Sequence, residues 1–265
     1  VLYNTDLFLI TIFMGNNSLV DVSIYGVYNL VAISIINIVS SITSGVQASM
    51  GNLLVSSDEK KVKEVYQKFE FITLISVIYI SFSVLLSPFI KLYSENFNDA
   101  NYNDLGLVVL FTIMVVLQGV RIPAVTVVAA AGHYKETQYR ALVEASINIV
   151  FSIILVSYYG LYGILLGTIL AYFYRNTDLI LYVNKYLIRG TLRQSIIRIF
   201  VYITIIFISS VTLGYMVRCI EIVSYLEWFV LACIVGIISI LVVMLISYLL
   251  DKEILNDIKK IFIKI

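Results

Sequence analysis

Residues 105–131 read LGLVVLFTIMVVLQGVRIPAVTVVAAA, an apolar run broken by a single charge, Arg121, two residues before Pro123. The run is long enough to cross a bilayer, since about 20 apolar residues in a helix span the hydrocarbon. At about 1.5 Å per residue, Arg121 lies roughly 15 Å from the Gly132 end and about 24 Å from the Leu105 end, deeper than snorkelling easily relieves. A guanidinium at that depth requires a water-filled cavity or a carboxylate partner. Pro123 removes the backbone donor owed to the carbonyl of Gly119, so a kink is expected beside the charge. A broken helix next to a buried charge is a frequent transporter arrangement.

The rest of the chain has the same character. Its 265 residues are 60% hydrophobic and 13% charged, and the mean hydropathy of +0.97 exceeds what a soluble core needs. The composition predicts an all-α polytopic membrane protein. A net charge of +1 offers no field for nucleic acid. Cys219, Cys233 and the single histidine, His133, are too few for a disulfide framework or a metal cluster of soft ligands, and no cofactor is expected. The chain opens at Val1 within apolar sequence and carries no signal-peptide pattern there, which we read as a piece of a longer protein.

Apolar runs between short polar breaks predict about eight transmembrane helices, near 1–14, 23–54, 69–93, 105–131, 141–159, 161–183, 196–217 and 225–250. The first is too short to span alone. Positive charge occupies alternate breaks: Lys60, Lys61, Lys63 and Lys68, then Lys135 and Arg140, then Arg175, Lys185, Arg189, Arg193 and Arg198, with Lys252, Lys259, Lys260 and Lys264 in the tail. Only Lys91 and Arg218 fall on the other side, which leaves Arg121 alone within the membrane. The Lys/Arg-rich side, including the C-terminus, is then cytoplasmic. Tyr158, Tyr159 and Tyr162 in one outer break and Tyr225 and Trp228 in another suit interfacial anchors, although Tyr is common throughout.

The second helix carries Asn29, Ser34, Asn37, Ser40, Ser41, Thr43, Ser44, Gln47 and Ser49, a set that must face protein or water; interhelical hydrogen bonds explain most such residues. Gly160, Gly163 and Gly167 make a small-residue face on which the fifth and sixth helices approach closely. Every break is short, so the chain forms one membrane domain.

Three ionisable groups compete for a mechanism. Asp6 sits near mid-membrane if its helix runs outward from the cytosol, where it would pair with Arg121, couple ions or line a cavity. Arg121 offers bidentate recognition of phosphate. Glu144, four residues after Arg140, is expected to form a local ion pair with it near the cytoplasmic interface. His133 reads as a solvated loop histidine, and residues 56–68 (SSDEKKVKEVYQK) as an amphipathic, basic stretch that forms a solvated loop face able to meet anionic headgroups. No Ser/His/Asp set, Cys/His pair or acidic metal motif is present, and a catalytic role is not expected.

Four stretches resemble a known family: residues 4–15 (NTDLFLITIFMG), 22–35 (VSIYGVYNLVAISI), 121–153 (RIPAVTVVAAAGHYKETQYRALVEASINIVFSI) and 160–182 (GLYGILLGTILAYFYRNTDLILY). They are similar to the C-terminal half of bacterial polysaccharide flippases of the multidrug/oligosaccharidyl-lipid/polysaccharide (MOP) exporter superfamily. The third stretch is the most specific. The resemblance implies that residues 1–186 form the second six-helix lobe of a MOP/MATE-like flippase fold, and that 187–265 add two further helices and a cytoplasmic tail. It implies a bacterial cytoplasmic-membrane protein that moves undecaprenyl-diphosphate-linked oligosaccharide outward for capsule or other surface polysaccharide, alongside a polysaccharide polymerase and glycosyltransferases. The cavity residues it suggests are Arg121 for the diphosphate, Asp6 for the cavity or ion coupling, and Asn37, Gln47 and Gln118 for the ligand. The alternatives are a multidrug cation antiporter of the same fold, with a buried carboxylate in command, and a membrane scaffold that transports nothing.

Overall fold

The computed structural model describes residues 2–15, 18–55, 59–80, 83–97, 100–189 and 222–234, with single positions at 196, 200, 237 and 241. They fold into helices α1 (Leu2–Phe13), α2 (Ser18–Val55), α3 (Glu59–Ile80), α4 (Ser83–Tyr93), α5 (Leu105–Ala130), α6 (Tyr134–Tyr159) and α7 (Leu161–Tyr182), the last running into a π-turn at Val183–Leu187. A short apolar helix, α8, follows at Tyr225–Ile234. There is no strand among the described residues.

Three of these helices are long and apolar enough to cross a membrane: α2 through its Ser18–Ser41 portion, α5 and α6. The expected helix at 196–217, most of that at 225–250 and the basic tail lie outside the described residues. α7 has the length of a span but carries Arg175, Asn176 and Asp178 in its last third. The stretch expected as a helix at 69–93 holds the end of α3 and α4, with residues 81 and 82 outside the described ones, and α3 starts ten residues earlier. The basic stretch that reads as a loop is helical from Glu59 because Val62, Tyr66 and Phe69, at helical spacing, bury one face of it.

α6 is inverted relative to a soluble helix. Its buried positions include Thr137, Glu144, Asn148 and Ser152, a polar stripe at seven- and four-residue spacing, while Leu142, Ile149, Val150, Phe151 and Ile154 face outward. Apolar groups outside and polar groups inside suit a hydrocarbon surround, where polar atoms must find partners within the protein.

Two glycines shape the α6–α7 hairpin. Gly160 joins the helices at φ 56°, ψ −131°, a conformation that only glycine adopts readily. A Cβ on Gly167 would collide with Ser152, and one on Gly163 with the Leu155 backbone, so the small-residue face does set the close approach. α5 packs on α2, α3 and α7. At its start Asp104 caps it, accepting from Gly106 N at 2.7 Å and Leu107 N at 3.3 Å. At its end Gly132, at φ 71°, closes a pair of turns in which His133 N donates to Val128 O and Gly132 N to Ala129 O.

Among the described residues the apolar interior forms two layers. One joins Tyr25 and Tyr28 of α2, Phe111 and Met114 of α5 and Ile164 and Leu165 of α7; the other joins Met50, Val127, Leu179 and Val183 with Val62 and Tyr66 of α3. In α2, α5 and α7 the lower-numbered residues serve the first layer and the higher-numbered ones the second, so the three helices run in the same direction. From the segments between these layers come Ser40, Ser44, Gln47, Gln118, Arg121 and Arg175.

Candidate functional site

Between the two layers lies a pocket of about 440 Å³, lined by Ser40, Ser44 and Gln47 of α2, Gln118, Arg121 and Thr126 of α5, Glu144 of α6 and Arg175 of α7, with three aliphatic residues. Arg121 is therefore both beside a cavity and paired. Its Nη1 donates to Glu144 Oε1 at 2.7 Å, and its guanidinium lies 5.1 Å from the centre of the Tyr172 ring. Tyr172 braces a second pocket residue as well, since its hydroxyl accepts from Gln118 Nε2 at 2.7 Å.

The ion pairs continue away from the pocket. Glu144 Oε2 lies 3.5 Å from Arg175 Nε, Arg175 Nη1 lies 3.2 Å from Asp178 Oδ2, and Asp178 Oδ1 pairs with Arg140. Three arginines thus share two carboxylates, leaving an excess of one positive charge. Exposure is lowest in the middle of this series: the Arg121 side chain is 26% exposed, Glu144 and Arg175 only 10% each, and Arg140 at the far end 34%. Of the two arginines that line the pocket, Arg121 is the more open.

Two expectations are corrected here. Glu144 does not pair with Arg140; it turns inward to Arg121 and Arg175, while Arg140 finds Asp178 on α7. The local i,i+4 pair loses because a carboxylate buried between two guanidiniums gains more than one at a wet helix face. Nor does Arg121 stand alone: Arg175, counted from sequence with the cytoplasmic charges, is buried and lines the same pocket. Its signal lay in Tyr172, Arg175, Asn176 and Asp178, which put polar groups on a helical face inside an apolar run. Asn176 serves that face by donating from Nδ2 to Leu117 O at 2.8 Å, tying α7 to α5 beside the site.

Gln47, Gln118 and Arg121 are brought together, but Asp6 and Asn37 are not among the lining residues. Asn37 is exposed on α2. Asp6 is fully buried and does not pair with Arg121: Tyr25 OH donates to its Oδ2 at 2.9 Å and Thr168 Oγ1 donates at 2.9 Å, while Asn148 Nδ2 donates to Thr168 Oγ1 at 2.8 Å. A buried carboxylate needs such donors, and these knit α1 to α2, α6 and α7. Pro123 is buried within a helix that continues to Ala130. His133 is half-buried rather than solvated, its Nδ1 2.8 Å from the hydroxyl of Tyr182.

The chain matches no family model, no curated protein and no solved structure. The chemistry of the pocket must therefore carry the functional reading. Its excess positive charge, amide and hydroxyl groups and a guanidinium a quarter exposed suit an anionic ligand that also bears hydroxyls.

Proposed function

We propose that the chain is a lobe of a membrane transporter that moves undecaprenyl-diphosphate-linked oligosaccharide across the bacterial cytoplasmic membrane for surface-polysaccharide assembly. The observation that carries this reading is Arg121, a quarter exposed in a pocket, backed by Arg175 and carried on a helix long and apolar enough to cross a membrane. A diphosphate is the group that a forked, permanently charged donor recognises best. Ser40, Ser44, Gln47 and Gln118 supply hydrogen bonds for sugar hydroxyls on the same wall. In this reading the chain has eight spans with a cytoplasmic C-terminus, residues 1–186 forming the lobe and 187–265 two added helices. Alternating access then exposes the pocket to either face. Partners would be the lipid-linked glycan and the polymerase and glycosyltransferases acting on it.

A drug-cation antiporter of the same architecture needs a carboxylate turned toward its ligand. The pocket carboxylate, Glu144, is already held by two arginines, which favours the anionic reading. In the full-length protein, Arg121→Glu is expected to abolish surface polysaccharide at normal protein level in the membrane. Surface polysaccharide at the parental level in such cells would overturn the assignment.

A further inference from the structure

An anion-binding arginine that crosses the membrane in an empty transporter must not travel unpaired, because an uncompensated charge in a low-dielectric interior is costly. Arg121 has such a partner in Glu144, and an incoming phosphate competes with it for the guanidinium. Glu144 Oε1 accepts the 2.7 Å bond from Arg121 Nη1, while Oε2 is held more loosely, 3.5 Å from Arg175 Nε.

Resting on the reading of the pocket as a diphosphate site, we propose that Glu144 is an internal counterion that holds Arg121 when the pocket is empty and yields it to the incoming phosphate, passing wholly to Arg175. The network permits this exchange without orphaning a charge. Arg175 commits only Nη1 to Asp178 and has two further nitrogens for a carboxylate. Asp178 is in turn held by Arg140, so it does not need Arg175 alone. Before the exchange Glu144 is shared between two cations; after it, each anion has its own. Tyr172 keeps the guanidinium of Arg121 in place from behind while its partner changes.

The exchange has two consequences of opposite sign. Removing the competitor at Glu144 tightens the binding of phosphate groups, since the ligand no longer displaces a charge-assisted hydrogen bond. It slows the return of the empty carrier, because Arg121 then has nothing to neutralise it. A merely structural Glu144 would weaken both.

The test is binding of inorganic pyrophosphate to the purified full-length protein, together with transport in intact cells, for wild type, Glu144→Gln and Glu144→Asp. Glu144→Gln is expected to lower the pyrophosphate Kd about tenfold, the worth of one such bond, while transport falls. Glu144→Asp, shorter by one methylene, retains the charge for Arg175 and draws it back from Arg121; it shifts the Kd the same way and decides the matter if the Gln variant does not fold. Unchanged or weaker binding in the folded Glu variants, with binding still lost in Arg121→Gln, overturns the counterion and leaves the diphosphate reading standing. Pyrophosphate binding in Arg121→Gln equal to wild type overturns the diphosphate reading itself.

Discussion

Asp6 and Arg121 are opposite charges, yet each is satisfied separately. Arg121 takes a carboxylate from α6; Asp6 takes hydroxyls from α2 and α7. Thr168 is the hinge of the second arrangement, since its single proton goes to Asp6 while its lone pair accepts from Asn148. Thr168→Val keeps the shape and removes both roles. It should cost about 3 kcal/mol, the penalty of leaving a buried carboxylate and an amide short of partners. Denaturant unfolding in detergent measures this, and the loss should shrink in an Asp6→Asn background. Equal losses in the two backgrounds would show that the hydroxyl does not serve the carboxylate.

Among the elements, the α6–α7 hairpin shows how packing gives opposite answers to one substitution. Gly167→Ala drives a methyl into Ser152 and should destabilise by about 1–3 kcal/mol, as overpacking does. Gly26→Ala in α2 meets nothing within 4 Å and should stabilise by about 0.5–1 kcal/mol, because alanine loses less backbone entropy in a helix. Melting temperatures of the two variants should move in opposite directions; a common direction would refute the packing account. These features were legible in the sequence because they are local: the apolar runs placed α2, α5 and most of α6 and α7, and the glycine spacing marked the close face. The start of α3 was not, since its Lys-rich surface masks an apolar stripe at Val62, Tyr66 and Phe69 that matters only once a core exists to receive it. The site divides in the same way. Arg121 stood out against its own helix, and Gln118 lay one turn away from it. The partner of Glu144 was hidden because the choice between Arg140 on the same helix and Arg121 on another is made by burial, which spacing does not report.

For the whole molecule, the parallel course of α2, α5 and α7 and the inverted surface of α6 fit a bundle crossing a bilayer with its polar layer midway. In the proposed topology Lys135 and Arg189 lie on the cytoplasmic side, and Glu95 and Tyr158 on the outer side. Each of α5, α6 and α7 then separates one pair of these positions. Single cysteines at 95, 135, 158 and 189, in a full-length protein whose own cysteines are replaced by serine, read that topology directly. A membrane-impermeant maleimide added to intact cells should label 95 and 158 and reach 135 and 189 only after permeabilisation. The opposite pattern would reverse the orientation inferred from the basic breaks. Labelling of 95 and 135 from the same side would show that α5 does not cross. Arg121 would then need no cavity partner, since a guanidinium on a helix lying in the interface reaches water by itself. The labelling pattern at 95 and 135 is thus also a test of why Arg121 is paired with Glu144 at all.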